Sequence, residues 1–254
     1  MCYDISFTSN IRHVQDYFPG LHVDPQVNID FTSDHVQAQA YQPFPIITNN
    51  GGQLTLQPFE WGVIPDYFKT PEDVKKGRSF MCNAQSEKII DDTRSFWRRI
   101  RQHRCLIPVT GIYEHRNVTG FKNKIPYHVQ LRQRSLFCLP GLFHYSPFAN
   151  KETGELTGTF TIITRAANRL MRQIHNNGPN SGRMPLFLTK ELELQWLQEG
   201  LNDMQIQEIL HYEMPAEEMQ YYTVHTIRTT KPRPDDKRKT EPFEWLNLPE
   251  LEVV

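Results

Sequence analysis

The short strand-like stretches of this chain constrain its fold more than any other feature. Runs such as PIIT, QLTL, RCLIPV, PYHVQL, SLFCLPGLF and TFTIIT are rich in β-branched or aromatic residues and bounded by Gly, Pro or Asn. VNIDF, MPLFL and YTVHTI extend the series. Helix-like periodicity is confined to residues 10–18, 93–103, 165–174, 189–199 and 202–211. Thr164 stands where it would cap the helix over RAANRLMRQI. Helices do not alternate regularly with strands, which argues against a doubly wound parallel sheet. The pattern predicts a single α+β domain over residues 1–230, with a β-rich, mostly antiparallel, barrel-like centre flanked by helices. Residues 231–254, opening with KPRPDDKRKT, read as a surface segment packed on that domain or trailing from it.

Composition narrows the function classes. A length of 254 residues suits one large domain with a well-buried core. The net charge of −1 argues against a protein that coats duplex nucleic acid non-specifically, while leaving room for a small, locally basic cleft. No apolar run approaches the roughly 20 residues that span a bilayer, so no membrane partner is expected. The start, MCYDISFTSNIRHVQDYF, lacks the basic and apolar regions of a secretory signal. Cys2, Cys82, Cys105 and Cys138 form no C-x-x-C pair, so neither a zinc site nor a disulfide framework is indicated. A reduced, cytoplasmic protein without metal or cofactor is the simpler expectation, and nothing in the sequence asks for more than a monomer.

Several residues carry possible chemistry. Removal of Met1 would give Cys2 a free α-amine beside its thiol. An aldehyde can condense with that amine, and the thiol can then close a five-membered thiazolidine, because both nucleophiles already sit on one residue. A small second residue also simply permits loss of Met1. Glu114 ends an apolar strand just after Gly111-Ile112-Tyr113, where a turn could aim its carboxylate into a cleft. An exposed strand-end carboxylate fits the same pattern. His175 follows a helix and precedes the loop NNGPNSG, either as a proton shuttle or as a surface residue at a helix end. Asn83 could orient an amine or simply shape a turn. Trp61 could stack on a base or belong to the core.

Taken together, these residues carry a resemblance. Met1-Cys2, Trp61-Gly62-Val63-Ile64-Pro65, Asn83-Ala84-Gln85-Ser86-Glu87, the stretch Arg104 to Glu114, Thr164 to Asn168, Ile174-His175 and Arg183-Met184-Pro185 occur in the order of the SRAP family. This chain is similar to those SOS response-associated peptidase-like proteins, which process abasic sites, from residue 2 to about 188. The resemblance implies a compact α+β domain with a groove for single-stranded DNA containing abasic sites. It implies that Cys2, freed by autocatalytic loss of Met1, forms a thiazolidine with the ring-opened sugar aldehyde. Asn83 would hold the reacting amine, Glu114 would serve release of Met1 and the acid–base steps, and His175 would assist ring opening and reversal. Trp61, Gln85, Thr164 and Arg183 would contact the DNA.

The departures are informative. Tyr3-Asp4 stands where the family usually shows glycine and arginine, and Gln85 stands where it shows a second arginine. Fewer phosphate contacts imply weaker DNA binding and a shallower salt dependence. Arg78, Arg165 and Arg172 are the expected substitutes. Segment 176–182 is longer than in close relatives. Two other functions remain open on sequence: a cysteine peptidase acting on other proteins through Cys2, His175 and Glu114, and a single-stranded DNA binding module without the reaction.

Overall fold

In the computed structural model, which describes residues 2–150 and 153–252, the strand-like runs assemble into two sheets. In chain order the elements are β1 (Asp4–Phe7), α1 (Ile11–Tyr17), β2 (His22–Val23), β3 (Ser33–Gln37), β4 (Pro43–Asn50), β5 (Gln53–Trp61), α2 (Pro71–Gly77), β6 (Asn83–Gln85) and α3 (Phe96–Arg99). They continue as β7 (Arg104–Val109), β8 (Gly111–Arg116), β9 (Ile125–Leu131), β10 (Phe137–Ala149), β11 (Leu156–Ala166), α4 (Arg169–Ile174), β12 (Arg183–Pro185), α5 (Lys190–Trp196), α6 (Asp203–His211) and β13 (Met219–Thr223).

The larger sheet runs β12-β11-β10-β7-β4-β5-β2, and a parallel pairing of β5 with β11 closes its middle into a barrel. Closure removes the open edges a flat sheet would leave, which is how many short strands become one stable centre. The remaining pairings along this path are antiparallel up to β5, as the sequence predicts. Inside, Phe44 packs against Phe160, and Trp61 stacks on Phe160 with ring centroids 5.8 Å apart. All three are buried, and each such side chain contributes roughly 1.5–3 kcal/mol of apolar burial. Strands come so close at Gly141 that a Cβ there would lie 2.4 Å from the Thr161 carbonyl oxygen, so only glycine fits.

The second sheet, β13-β9-β8-β1-β3, lies beside the barrel and carries the amino-terminal strand between β8 and β3. Residues 231–252 run over this side of the molecule. Arg233 is buried and bound bidentately to Asp235, and the Trp245 indole donates to the Val224 carbonyl. Among the described residues, no helix is long and apolar enough to cross a membrane.

Some expectations differ locally. VNIDF is a turn, because Val27 donates to the Asp24 carbonyl and Asp30 to the Asn28 side chain, local bonds that compete with a ladder. MPLFL contributes only its first residues, to β12, and YTVHTI stops as a strand at Thr223. The helix expected over 93–103 is the single turn α3. Thr164 does not cap a helix: it is buried within β11, and α4 begins later, capped by Asn168, whose side chain accepts from the Met171 amide at 3.0 Å.

Candidate active site at the amino-terminal cleft

Glu114 owes its position to the period of a strand. In β8, Ile112 and Glu114 point to the same face, and Ile112 is wholly buried, so the carboxyl is carried inward with it. The sequence puts Glu114 at the end of an apolar strand, at a turn; it lies instead inside β8, and the bend comes earlier, between β7 and β8. Gly111 opens β8 because a Cβ there would meet the His128 ring at 2.3 Å. The result is a carboxyl only 4% exposed, whose Oε1 has no hydrogen-bond partner among the described residues. Burial pushes Glu114 up to about 8, so it is mainly protonated at neutral pH.

Its neighbours converge from distant parts of the chain. His175 caps the carboxyl end of α4, where its Nδ1 lies 2.9 Å from the Arg183 carbonyl and 4.0 Å from Glu114 Oε2. Burial pushes the imidazole below its ordinary range. A raised carboxyl beside a lowered imidazole makes this a contact between neutral groups rather than an ion pair. β6 pairs in parallel with β11, setting Asn83 opposite Ile162. From there Asn83 Nδ2 donates to the Cys2 carbonyl at 2.9 Å, while its own Oδ1 is buried and unpartnered among the described residues. Cys2 is fully buried, its thiol 3.6 Å from the Asp4 carbonyl. Burial first, then the charges of Glu114 and Asp4, raise that thiol well above its usual range.

Glu114 and His175 line a cleft of about 410 Å³ together with Tyr3, Asp4, His115, Lys124 and Arg228, among others, while Cys2 and Asn83 lie buried outside its lining. Asn177, Gly178, Pro179 and Asn180 form another wall, so segment 176–182 shapes the cleft rather than decorating the surface. The Asn176 side chain pins it by pairing with both the amide and the carbonyl of Asn117, at 2.8 and 3.0 Å. Lys124 Nζ holds the Asn177 carbonyl at 3.0 Å. Two buried polar atoms unpaired among the described residues, a protonated acid and a neutral base near Cys2 can bind a small polar carbon centre and pass protons to it.

Residues expected to touch DNA are placed differently. Trp61 is 1% exposed, with its indole bonded to the Cys82 carbonyl at 2.8 Å, so its faces are closed to a base. Thr164 is also fully buried. Both are corrected to core residues behind the site: β5 and β11 turn them inward by register. Arg183 is clamped by both Glu87 oxygens at 2.7 and 2.9 Å and donates to the Thr164 carbonyl. Gln85 is half-buried opposite Thr164. None of the substitute arginines lines the cleft. Arg78 is buried against Glu60 and the Gly62 carbonyl, Arg165 is paired with Glu213, and Arg172 Nε is spent on the Ala167 carbonyl. In the sequence Asp4 stands out only as a departure, and nothing there marks Arg228 or Lys124 or ties residue 228 to residue 4.

Comparison with known proteins is consistent with this geometry. The family model described as SOS response associated peptidase (SRAP) matches residues 1–228. The chain is 33% identical over 181 residues to a Bacillus subtilis protein named abasic site processing protein YoqW, covering 71% of this chain and 74% of that one. It is 29% identical over 214 residues to abasic site processing protein YoaM of the same organism, covering 84% of each. A crystal structure of a protein from Bacteroides thetaiotaomicron superposes with a TM-score of 0.76 at 30% identity, covering 95% of this chain and 97% of that one.

Proposed function

The chain belongs to the SOS response associated peptidase (SRAP) family, and from that premise we propose that it processes abasic sites in single-stranded DNA through a covalent link to Cys2. The observation that carries this reading is Cys2 held by Asn83 within electrostatic reach of Glu114, which lines a cleft with His175. Relatives named for abasic-site processing support the substrate.

Met1 leaves first, by hydrolysis of its peptide bond to Cys2, with Glu114 handling the protons. The new α-amine has a pKa near 7.7–8.0 in ordinary surroundings, so a useful share is neutral at physiological pH. An abasic deoxyribose is mostly a closed hemiacetal, and His175 moves the proton that opens it. The amine adds to the aldehyde carbon, protonated Glu114 gives its proton to the departing hydroxyl, and water leaves. The thiol then adds across the imine and closes the thiazolidine. Aldehyde plus aminothiol thus gives ring plus one water. Single-stranded substrate is required because a paired, stacked duplex hides the sugar carbon.

A peptidase acting in trans would need a Cys2 thiolate, which burial disfavours. The test is incubation of the processed protein with uracil-excised single-stranded oligonucleotide. An adduct that survives denaturant and disappears in Cys2→Ala is the expected result. No adduct, or an equal one from the variant, overturns the reading.

A further inference from the structure

The structure assigns a phosphate subsite to Arg228, held in the cleft by Asp4, and we propose that this pair supplies the DNA backbone contact missing from positions 4 and 85. The inference rests on the reading above and names the residue through which that site grips its strand.

Asp4 is an aspartate on a strand that enters the molecule's interior, 2% exposed. An isolated carboxylate there would be costly, and it is satisfied on every side. Oδ1 receives His35 Nε2 at 2.7 Å and Arg228 Nε at 3.0 Å, and Oδ2 receives Arg228 Nη2 at 2.5 Å. The acid is therefore not a repulsive charge at the mouth of the cleft. It is the anchor behind a guanidinium.

The guanidinium faces the other way. The Arg228 side chain is 43% exposed while the Asp4 side chain beneath it is 3% exposed, and Arg228 lines the same cleft as Glu114 and His175. A guanidinium carries five N–H donors, and the fork on Asp4 takes two of them. Nη1 makes no hydrogen bond among the described residues, and its donors lie across the guanidinium plane from the Nε–Nη2 edge that the acid fixes. A planar, pre-oriented donor edge beside a reactive centre matches the two free oxygens of a phosphodiester. The other arginines weighed for this role are turned into the protein or clamped, as described above. Arg228 differs because its acid is buried behind it, which leaves one edge open.

The pairing also sets the size of the effect. A phosphate on the open edge lies nearer the guanidinium than the carboxylate, so attraction persists but is smaller than for an unpaired arginine. One hydrogen-bonded charge contact corresponds to about ten-fold in affinity.

The test measures binding apart from chemistry. A single-stranded oligonucleotide carrying a tetrahydrofuran abasic analogue, which has no aldehyde, is titrated at several salt concentrations. Arg228→Gln should weaken binding about ten-fold and make the dependence on log salt shallower by about 0.7, the single-strand value for one phosphate. Arg228→Lys should restore the salt slope but not the full affinity, because a lysine cannot bridge both Asp4 oxygens and a phosphate. Arg12→Gln, on the exposed side of α1, should leave both values alone. An unchanged affinity and slope in Arg228→Gln, with a normal melting temperature, overturns the subsite. Loss in Arg228→Gln that Arg228→Lys does not improve in slope overturns its ionic character. Failure of the reaction itself looks different: the wild-type protein would bind the analogue yet form no adduct with a true abasic strand.

Discussion

Two glutamates are buried among the described residues, Glu114 and Glu193, and they are treated in opposite ways. Glu193 on α5 is wholly inside, and both oxygens are used: Oε1 accepts from Arg134 Nη1 at 2.8 Å and the Cys138 amide at 3.0 Å, and Oε2 from the Tyr17 hydroxyl at 2.8 Å. Glu114 on β8 is almost as deep, yet Oε1 has no partner among the described residues and its imidazole neighbour stands 4.0 Å away. Burial raises both carboxyls. The fold completes the first as a structural tie between α1, α5 and β10. It leaves the second with unspent hydrogen-bonding capacity facing a cleft. Buried polar atoms are nearly always satisfied, so an atom unpartnered among the described residues, near Cys2, is consistent with capacity held for a substrate.

Exchanging the two acids for neutral residues should separate these roles. The largest effect is expected from Glu114→Gln, which removes the proton donor. Adduct formation with an abasic strand should slow by roughly 10²–10⁴-fold, as read by single-turnover kinetics, and Met1 should remain attached in the intact mass when no aminopeptidase is present. Retained activity would make Glu114 structural too.

Next in size is Glu193→Ala. It leaves Arg134 and the Cys138 amide without their acceptor and should cost about 3–5 kcal/mol in urea denaturation. Folded protein should still form adduct. A small stability loss with a large activity loss would invert the comparison.

A third test uses pH. A carboxyl raised from 4.5 to about 8 by folding favours the folded state fully below pH 4.5, and that advantage is lost as pH rises through 8. Wild-type stability should therefore fall relative to Glu114→Gln between pH 5 and 8, by roughly 2–4 kcal/mol. Melting curves across that range check it, and a constant gap would deny that burial raises Glu114. The smallest effect is expected from His175→Ala, with reversal of the adduct slowed by about ten-fold. Unchanged off-rates would remove the imidazole from the mechanism.

Much of the barrel was legible in the sequence, because β4, β5, β7, β10 and β11 each carry several β-branched or aromatic residues between clear breakers. β8 was legible only as a strand ending at Glu114, and its separation from β7 was not, because Gly111 reads as punctuation when its lack of a side chain is needed to admit the His128 ring. β6 is too short to show a period and exists through its pairing with β11. The order of Cys2, Asn83, Glu114 and His175 was visible, and the structure sets Asn83 against Cys2 and His175 beside Glu114. Which way Trp61 and Thr164 face was not, since an aromatic or a threonine in a strand suits either side and only register decides. Arg228 was invisible for a different reason: its partner lies at the other end of the chain, and a salt bridge across that distance leaves no local pattern.

The most direct measurement is the intact mass of the protein after reaction with a short abasic oligonucleotide, followed by peptide mapping. A chain without its first methionine, joined to the oligonucleotide with loss of one water and modified at residue 2, is the predicted product. A product that keeps the methionine, or one whose bond maps to a lysine, would contradict the account at its base.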